Sequence, residues 1–287
     1  MAREDYSPIS PYGYTPTSWV CLLFVGLFSA SGVVHILQAW RYKYWIVFPT
    51  LVIGALLEII GWAGRYWSSR NVLYDPPFLQ QIITLIIAPV FFSAWLYTLL
   101  GIAIHRLGPQ YSLLRPKLYI IVFVSCDIIS LVLQAIGGGW AATAPNPTPK
   151  TPTDIMVGGI IFQLVSMIVF SFLTVDFALR TINKKPYGGR EDRLEQLQSH
   201  PSSPYEVEQK AGHVVSSRSG EEVKGWMNVL VGTGLCSLMI IIRGVYRSVE
   251  LVYTIWFDGV VMVLAIVAVN VFHPGFFLPA RQGWKRG

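Results

Sequence analysis

Seven blocks of predominantly apolar residues, at about 18–40, 44–64, 79–104, 117–137, 155–178, 226–245 and 251–272, divide this chain. Coiled as an α-helix, about 20 apolar residues match the thickness of a bilayer's hydrocarbon core. In lipid, backbone N–H and C=O groups find no water, so each spanning segment must satisfy its own hydrogen bonds, as a helix does. The blocks therefore predict an all-α polytopic membrane protein with seven transmembrane helices. Composition agrees, because only 13% of the residues are charged, against about 25% in soluble domains.

Lysine and arginine set the expected orientation, since cytoplasmic connections carry the excess. With the connections assigned to alternate sides, sixteen of these residues fall on one side and six on the other. The short connections, with Arg41, Lys43, Arg106, Arg115 and Lys117, agree with the long one. The N-terminus is expected outside and the C-terminus in the cytoplasm. The resulting layout is an extracellular tail over 1–17, helices one to five over 18–178, a cytoplasmic loop over 179–225, helices six and seven over 226–272, and a cytoplasmic tail over 273–287. No charged-then-apolar leader with a small-residue cleavage site precedes the first block, so no cleaved signal peptide is expected. The net charge of +6 reads as orientation signal and not as affinity for nucleic acid.

Tryptophan and tyrosine suit the headgroup layer. Trp19, Trp40, Tyr44, Trp45, Tyr66 and Trp67 flank the first two spans, and Trp226 opens the sixth. Cys21, Cys126 and Cys236 all fall inside apolar blocks, as small core residues do. Loop 179–225 is polar, near charge balance and carries Ser-Pro pairs. It reads as disordered, because it buries too little apolar area to offset ordering entropy. Ser202, Ser203, Ser216, Ser217 and Ser219 make it a candidate target for a kinase or a cytoplasmic regulatory partner; an unmodified tether is the plainer alternative.

Charged side chains inside a bilayer face a bundle interior, pair with one another or mark a path for a substrate. Glu58 and Asp127 lie within spans two and four, and Arg243, Arg247, Glu250 and Asp258 lie at the junction of spans six and seven. At a rise of about 1.5 Å per residue, Glu58, both arginines, Glu250 and Asp258 reach the outer half of the membrane, with Asp127 near the midplane. Arg243, Arg247 and Glu250 share one helix face, as do Asp127 and Gln134. One reading is an interhelical ion-pair network that fixes register; another is a polar cavity open toward the outer leaflet for a lipid headgroup or small cation. The surplus of acids favours a cationic ligand. The glycines at 54, 61, 64, 158, 159, 232 and 234 suit close helix packing. The run Gly137–Gly139 is expected to end span four and free the backbone to turn.

His35, His105 and His273 lie toward the inner ends of spans one, three and seven. An intramembrane zinc site would need several such ligands around an open position. No paired spacing such as HExxH supports one, so no metal or other cofactor is expected. No phosphate-binding loop is present either, which argues against ATP hydrolysis by this chain. Seven spans with an outer N-terminus also describe G-protein-coupled receptors. His105-Arg106-Leu107 and Asn270-Val271-Phe272-His273 do not match those receptors' motifs, and no outer cysteine pair exists; a receptor-like stress sensor signalling through loop 179–225 is the alternative function, with an intramembrane hydrolase behind it.

Several segments together carry a resemblance. They are Tyr12-Gly13-Tyr14-Thr15-Pro16, Glu58-Ile59-Ile60-Gly61-Trp62-Ala63-Gly64-Arg65, and Ala88-Pro89-Val90-Phe91-Phe92-Ser93-Ala94-Trp95-Leu96-Tyr97. Cys126-Asp127 through Gln134 and the glycine run follow, then Ile242-Arg243-Gly244-Val245-Tyr246-Arg247-Ser248-Val249-Glu250, Phe257-Asp258 and His273-Pro274-Gly275. Collinear over nearly all of 12–275, they resemble the fungal lipid-translocating exporters, the RTA-like proteins. The resemblance implies a seven-span, non-enzymatic membrane protein that moves lipids such as sphingoid bases or phospholipids, or confers resistance to toxic amphiphiles. By their charge, depth and shared helix faces, Glu58, Asp127, Gln134, Arg243, Arg247, Glu250 and Asp258 are the expected substrate-binding residues, in a multi-pass protein of the plasma membrane or an endomembrane. One departure stands out. Glu250 is followed almost at once by span seven, where the family carries a longer loop. The connection must be a very tight turn, or span six must end near Arg243.

Overall fold

The computed structural model describes residues 16–71, 74–143, 150–187, 220–249 and 255–277. Helix α1 spans Ser18–Tyr42, α2 Ile53–Ser68, α3 Asp75–Leu107, α4 Pro116–Thr143, α5 Lys150–Asn183, α6 Gly220–Val249 and α7 Ile255–Val271, followed by the short α8 at Pro274–Phe277. Seven helices, with α2 extended back to Trp45 and α7 forward to Phe277, are long and apolar enough to cross a membrane. The described residues contain no strand. Several helices outrun the blocks seen in the sequence. The 33 residues of α3 and 34 of α5 measure about 50 Å at 1.5 Å per residue, so they tilt or project beyond a core of about 30 Å.

Neighbours in the chain are neighbours in space. Each helix from α1 to α7 packs on the next, and α7 closes the ring against α1. Helix α3 also meets α5 and α6 across the ring. It is accordingly the most enclosed span, with 56% of its apolar window buried against 28% for α4 and α5. Its interior face carries Phe92, Trp95, Leu96, Tyr97 and Leu100, all buried. Tyr97 packs edge-on against Phe170 of α5, with ring centroids 4.7 Å apart, and against Phe123 of α4 at 5.4 Å. The outer faces keep exposed leucine, valine, isoleucine and phenylalanine, such as Leu37 and Phe172. Lipid tails are the solvent that makes such a surface stable.

The two ends of the bundle are distinct. At the Ser18 end, the Ser18 and Ser69 hydroxyls meet at 2.9 Å. At the Tyr42 end, α8 folds back so that Gly275 lies against the Tyr42 ring, too close for a Cβ. Trp19 and Trp67 are exposed at the first end, and Trp40 and Trp45 at the second. Trp226 departs from the belt expected of it: it is buried, because it packs into the core beside α6 neighbours such as Val229 and Leu230.

A glycine terminates α3, where Gly108 adopts φ 131° and donates its N–H to Ile104; a side chain there would be strained. Beyond α5, the Tyr187 N–H donates to Gln110 O at 3.1 Å, tying that segment to the α3–α4 turn. The Tyr187 hydroxyl donates to Asp176 at 2.7 Å. Burial, then that hydrogen bond, raises its pKa above the ordinary tyrosine value.

The Gly137–Gly139 run does not end α4, which continues to Thr143. A Cβ on Gly137 would fall 2.5 Å from Met156 N and 2.6 Å from Pro152 O. The glycine is there because the α5 backbone passes against it. Nor does the sixth span stop near Arg243: α6 runs on to Val249. The tail over 1–15, the serines of the long loop, Glu250 and the connection to α7 lie outside the described residues, as does the side chain of Asp258.

Candidate functional site

Pro89 is where the site begins. A proline within a helix has no N–H, so the carbonyl four residues earlier loses its intrahelical donor. Pro89 lies inside α3 and is buried, which leaves Leu85 O to be satisfied from elsewhere. The Arg243 Nη2 of α6 donates to that oxygen at 2.7 Å. Arg243 is itself buried, with 6% of its surface exposed. A guanidinium with five donors is thus anchored on one side by a backbone acceptor that proline created.

A cavity of about 30 Å³ opens beside this contact, among α3, α4, α5 and α6. Its polar lining consists of Ser93, Gln134, Gln163, Arg243 and Arg247; Pro89 and Met167 are among its apolar walls. Arg247 follows Arg243 by one turn of α6, which brings both side chains to one face. On the opposite wall, Gln134 Nε2 donates to Gln163 Oε1 at 3.1 Å and to Ser130 Oγ at 2.8 Å. The Ser130 hydroxyl donates to Gly159 O at 2.6 Å. That approach is possible because a Cβ on Gly159 would meet Gln134 and Ser130 O at 2.9 and 3.0 Å. The Ser93 hydroxyl turns back to Pro89 O at 3.0 Å.

The acids take other places. Asp127 is buried in α4 and accepts a hydrogen bond from the Tyr97 hydroxyl at 3.0 Å. It lies two turns from Gln134, about 10 Å along the helix, and outside the cavity lining. Glu58 is buried on α2. One turn further on, a Cβ on Gly61 would strike Leu85 and Thr84, so this face of α2 presses on the stretch of α3 that Arg243 also reaches. Arg65, two turns beyond Glu58, is buried as well and lies over the Trp62 ring at 5.8 Å.

Of the seven residues singled out in the sequence, the fold brings Gln134, Arg243 and Arg247 to one cavity. It sets Asp127 with Tyr97 and puts Glu58 in the α2–α3 seam. Sequence reasoning assigned no site role to Pro89, Ser93, Gln163, Tyr97 or Arg65, although all but Gln163 lie in the segments that carry the resemblance. A proline or amide in the middle of an apolar span was the available signal for Pro89 and Gln163, and a two-turn spacing from Glu58 for Arg65. The three histidines do not assemble: His105 is exposed at the end of α3, whereas His35 and His273 are buried. His273 stacks on Trp95, with centroids 6.1 Å apart, and its Nδ1 accepts the Gly275 N–H. Among the described residues, no three His, Cys, Asp or Glu side chains converge as a metal set.

The chain is 30% identical over 288 residues to the sphingoid long-chain base transporter RSB1 of Saccharomyces cerevisiae, covering 94% of this chain and 75% of that protein. It is 23% identical to the protein RTA1 of the same yeast, over 96% of this chain and 87% of that one. With its protoporphyrin uptake protein 1 the identity is 25%, over 91% and 90%. No solved structure matches. A family model described as RTA1 like protein matches residues 51–281, most of the chain and every helix from α2 to α7, and this multi-pass membrane protein therefore belongs to that family.

Proposed function

We propose that this protein moves an amphiphilic lipid or a lipid-like small molecule across or out of a membrane, without changing it chemically. The observation that carries the reading is the polar cluster of buried Arg243 and Gln134 with half-buried Arg247 and Gln163 around a cavity in an otherwise lipid-facing bundle. Polar groups at that depth are costly and persist where they serve a path or a partner. The relatives' names add a substrate class, since a long-chain base transporter and a protoporphyrin uptake protein both handle largely apolar molecules. Glu58 and Asp127 flank the cluster and, with the undescribed Glu250 and Asp258, complete the proposed substrate path.

On this reading the Ser18 end faces outward and the Tyr42 end faces the cytoplasm, as the lysine and arginine bias requires. The cavity then lies in the outer half. The connection between α5 and α6, shorter than the expected 179–225 because α5 runs to Asn183 and α6 starts at Gly220, faces the cytoplasm, where a regulatory partner or kinase would reach its serines. With no phosphate-binding loop in the sequence, movement follows a gradient or another component's work.

Reconstitution into liposomes with fluorescent lipids tests the proposal. Wild-type protein should speed transfer between leaflets or release from the vesicle, and mass spectrometry should recover the lipid unaltered. Asp127→Asn and Glu58→Gln should slow transfer several-fold. Transfer no faster than in protein-free liposomes for long-chain bases, phospholipids and other amphiphiles alike would end this reading.

A further inference from the structure

A second polar cluster lies toward the Tyr42 end of the bundle, where α7 closes the ring against α1. Ser31, His35 and Gln38 are buried and share one face of α1 through their i, i+4 and i+7 spacing. Across from them on α7, Asn270 donates its Nδ2 to the Ser31 hydroxyl, and its backbone oxygen accepts from Gln38 Nε2 at 3.0 Å. His273 follows Asn270 by three residues and stacks on Trp95 of α3. His35 lies within electrostatic reach of His273 and Gln38.

Six buried atoms of this cluster make no hydrogen bond among the described residues. They are both ring nitrogens of His35, Gln38 Oε1, Asn270 Oδ1, His273 Nε2 and Trp95 Nε1. Buried polar groups are nearly always paired, with protein or with ordered water. We infer that the cluster is a binding site for an uncharged group that donates and accepts hydrogen bonds together, the hydroxyl of water or of an alcohol.

The placement of hydrogens selects that chemistry. His273 Nδ1 accepts the Gly275 N–H at 3.1 Å, so the neutral ring carries its proton on Nε2, as a donor. Trp95 Nε1 is a donor as well. Gln38 spends its amide nitrogen on a carbonyl, which leaves its oxygen as an acceptor, and Asn270 Oδ1 is a second. A neutral ring at His35 adds one of each. Three donors therefore stand with three acceptors. A cation would be repelled by the N–H groups and an anion by the oxygens, and the protonated Nε2 of His273 has no lone pair to give a metal. At about three hydrogen bonds per buried water, the cluster calls for about two waters. Tyr42, Tyr44 and Phe276 close the site from the Tyr42 end, their ring centroids 5.8, 5.8 and 6.4 Å from that of His273. A hydroxyl held here bridges α1, α3 and α7, whatever the cavity among α3 to α6 carries.

Magic-angle-spinning NMR of the full chain in liposomes, with 15N-labelled histidine and tryptophan, tests the site. His35→Gln, His273→Gln and Trp95→Phe assign the signals. Polarisation from water protons should reach His35 and Trp95 within about threefold of the time it takes to reach exposed His105, and His273 should carry its proton on Nε2. His35→Leu removes a donor and an acceptor, and should slow transfer to Trp95 at least about threefold. Excess dodecanol separates the two sources: transfer that persists assigns internal water, and transfer lost to the alcohol assigns the hydroxyl of an amphiphile. Slower transfer to His35 and Trp95 in wild type, a proton on His273 Nδ1, or a smaller effect of His35→Leu on Trp95 overturns the inference.

Discussion

Arginine 243 and proline 89 are far apart in the chain and act on one atom, Leu85 O. If proline's missing N–H is the reason for the contact, the two residues are energetically coupled. Arg243→Ala should destabilise the protein by about 1–3 kcal/mol, the usual cost of a buried polar group stripped of its donor. In a Pro89→Ala background the helix regains an N–H for Leu85, and the loss should shrink by about 0.5–3 kcal/mol, the range of couplings between contacting residues. Melting of the four proteins in detergent measures this cycle; identical losses in both backgrounds would refute the coupling. Tyr97 and Asp127 offer a second case. Asp127→Asn keeps an acceptor for the Tyr97 hydroxyl and should leave stability nearly unchanged, whereas Tyr97→Phe should cost about 1 kcal/mol. Comparing their melting points separates a structural role of this pair from the transfer defect expected of Asp127→Asn.

Glycine decides how closely two of the helices approach. Gly137 faces the α5 backbone, while nothing lies within 4 Å of a Cβ built on Gly139. Gly137→Ala should therefore push α4 from α5 and cost about 1–3 kcal/mol, as overpacking does. Gly139→Ala should stabilise α4 by about 0.5–1 kcal/mol, because alanine holds a helix better than glycine. Melting points of opposite shift would confirm the assignment, and a neutral Gly137→Ala would contradict the packing. At this scale composition misleads: three consecutive glycines look like a break, but lipid removes the water that would hydrogen-bond an opened turn, and α4 stays helical.

At the scale of the whole molecule the ring of seven helices has two unlike ends. The turn at Gly108–Tyr111 belongs to the Tyr42 end and the turn at Ser69–Asn71 to the Ser18 end. With the N-terminus outside, a cysteine at Asn71 should react with an impermeant maleimide on intact cells, and one at Gln110 only after the membrane is opened. The reverse pattern would invert the proposed orientation and place the cavity nearer the cytoplasm.

Much of this was legible before any fold was known. Seven apolar blocks of spanning length dictate seven helices, because lipid allows an isolated segment no other hydrogen-bonded form. The same reasoning marked Glu58, Asp127, Arg243 and Arg247, since charge in an apolar block is conspicuous. Periodicity put Arg243 and Arg247 on one face. Which faces meet was not legible, because contacts between helices depend on tilt, rotation and the close approaches at Gly61, Gly159 and Gly244. Only the packed ring showed that Asp127 belongs with Tyr97, that Gln163 joins Gln134, and that Pro89 gives Arg243 its acceptor. Which polar side chains turn inward together around the cavity is set by the packing of α3 to α6, and only the tertiary structure decides that.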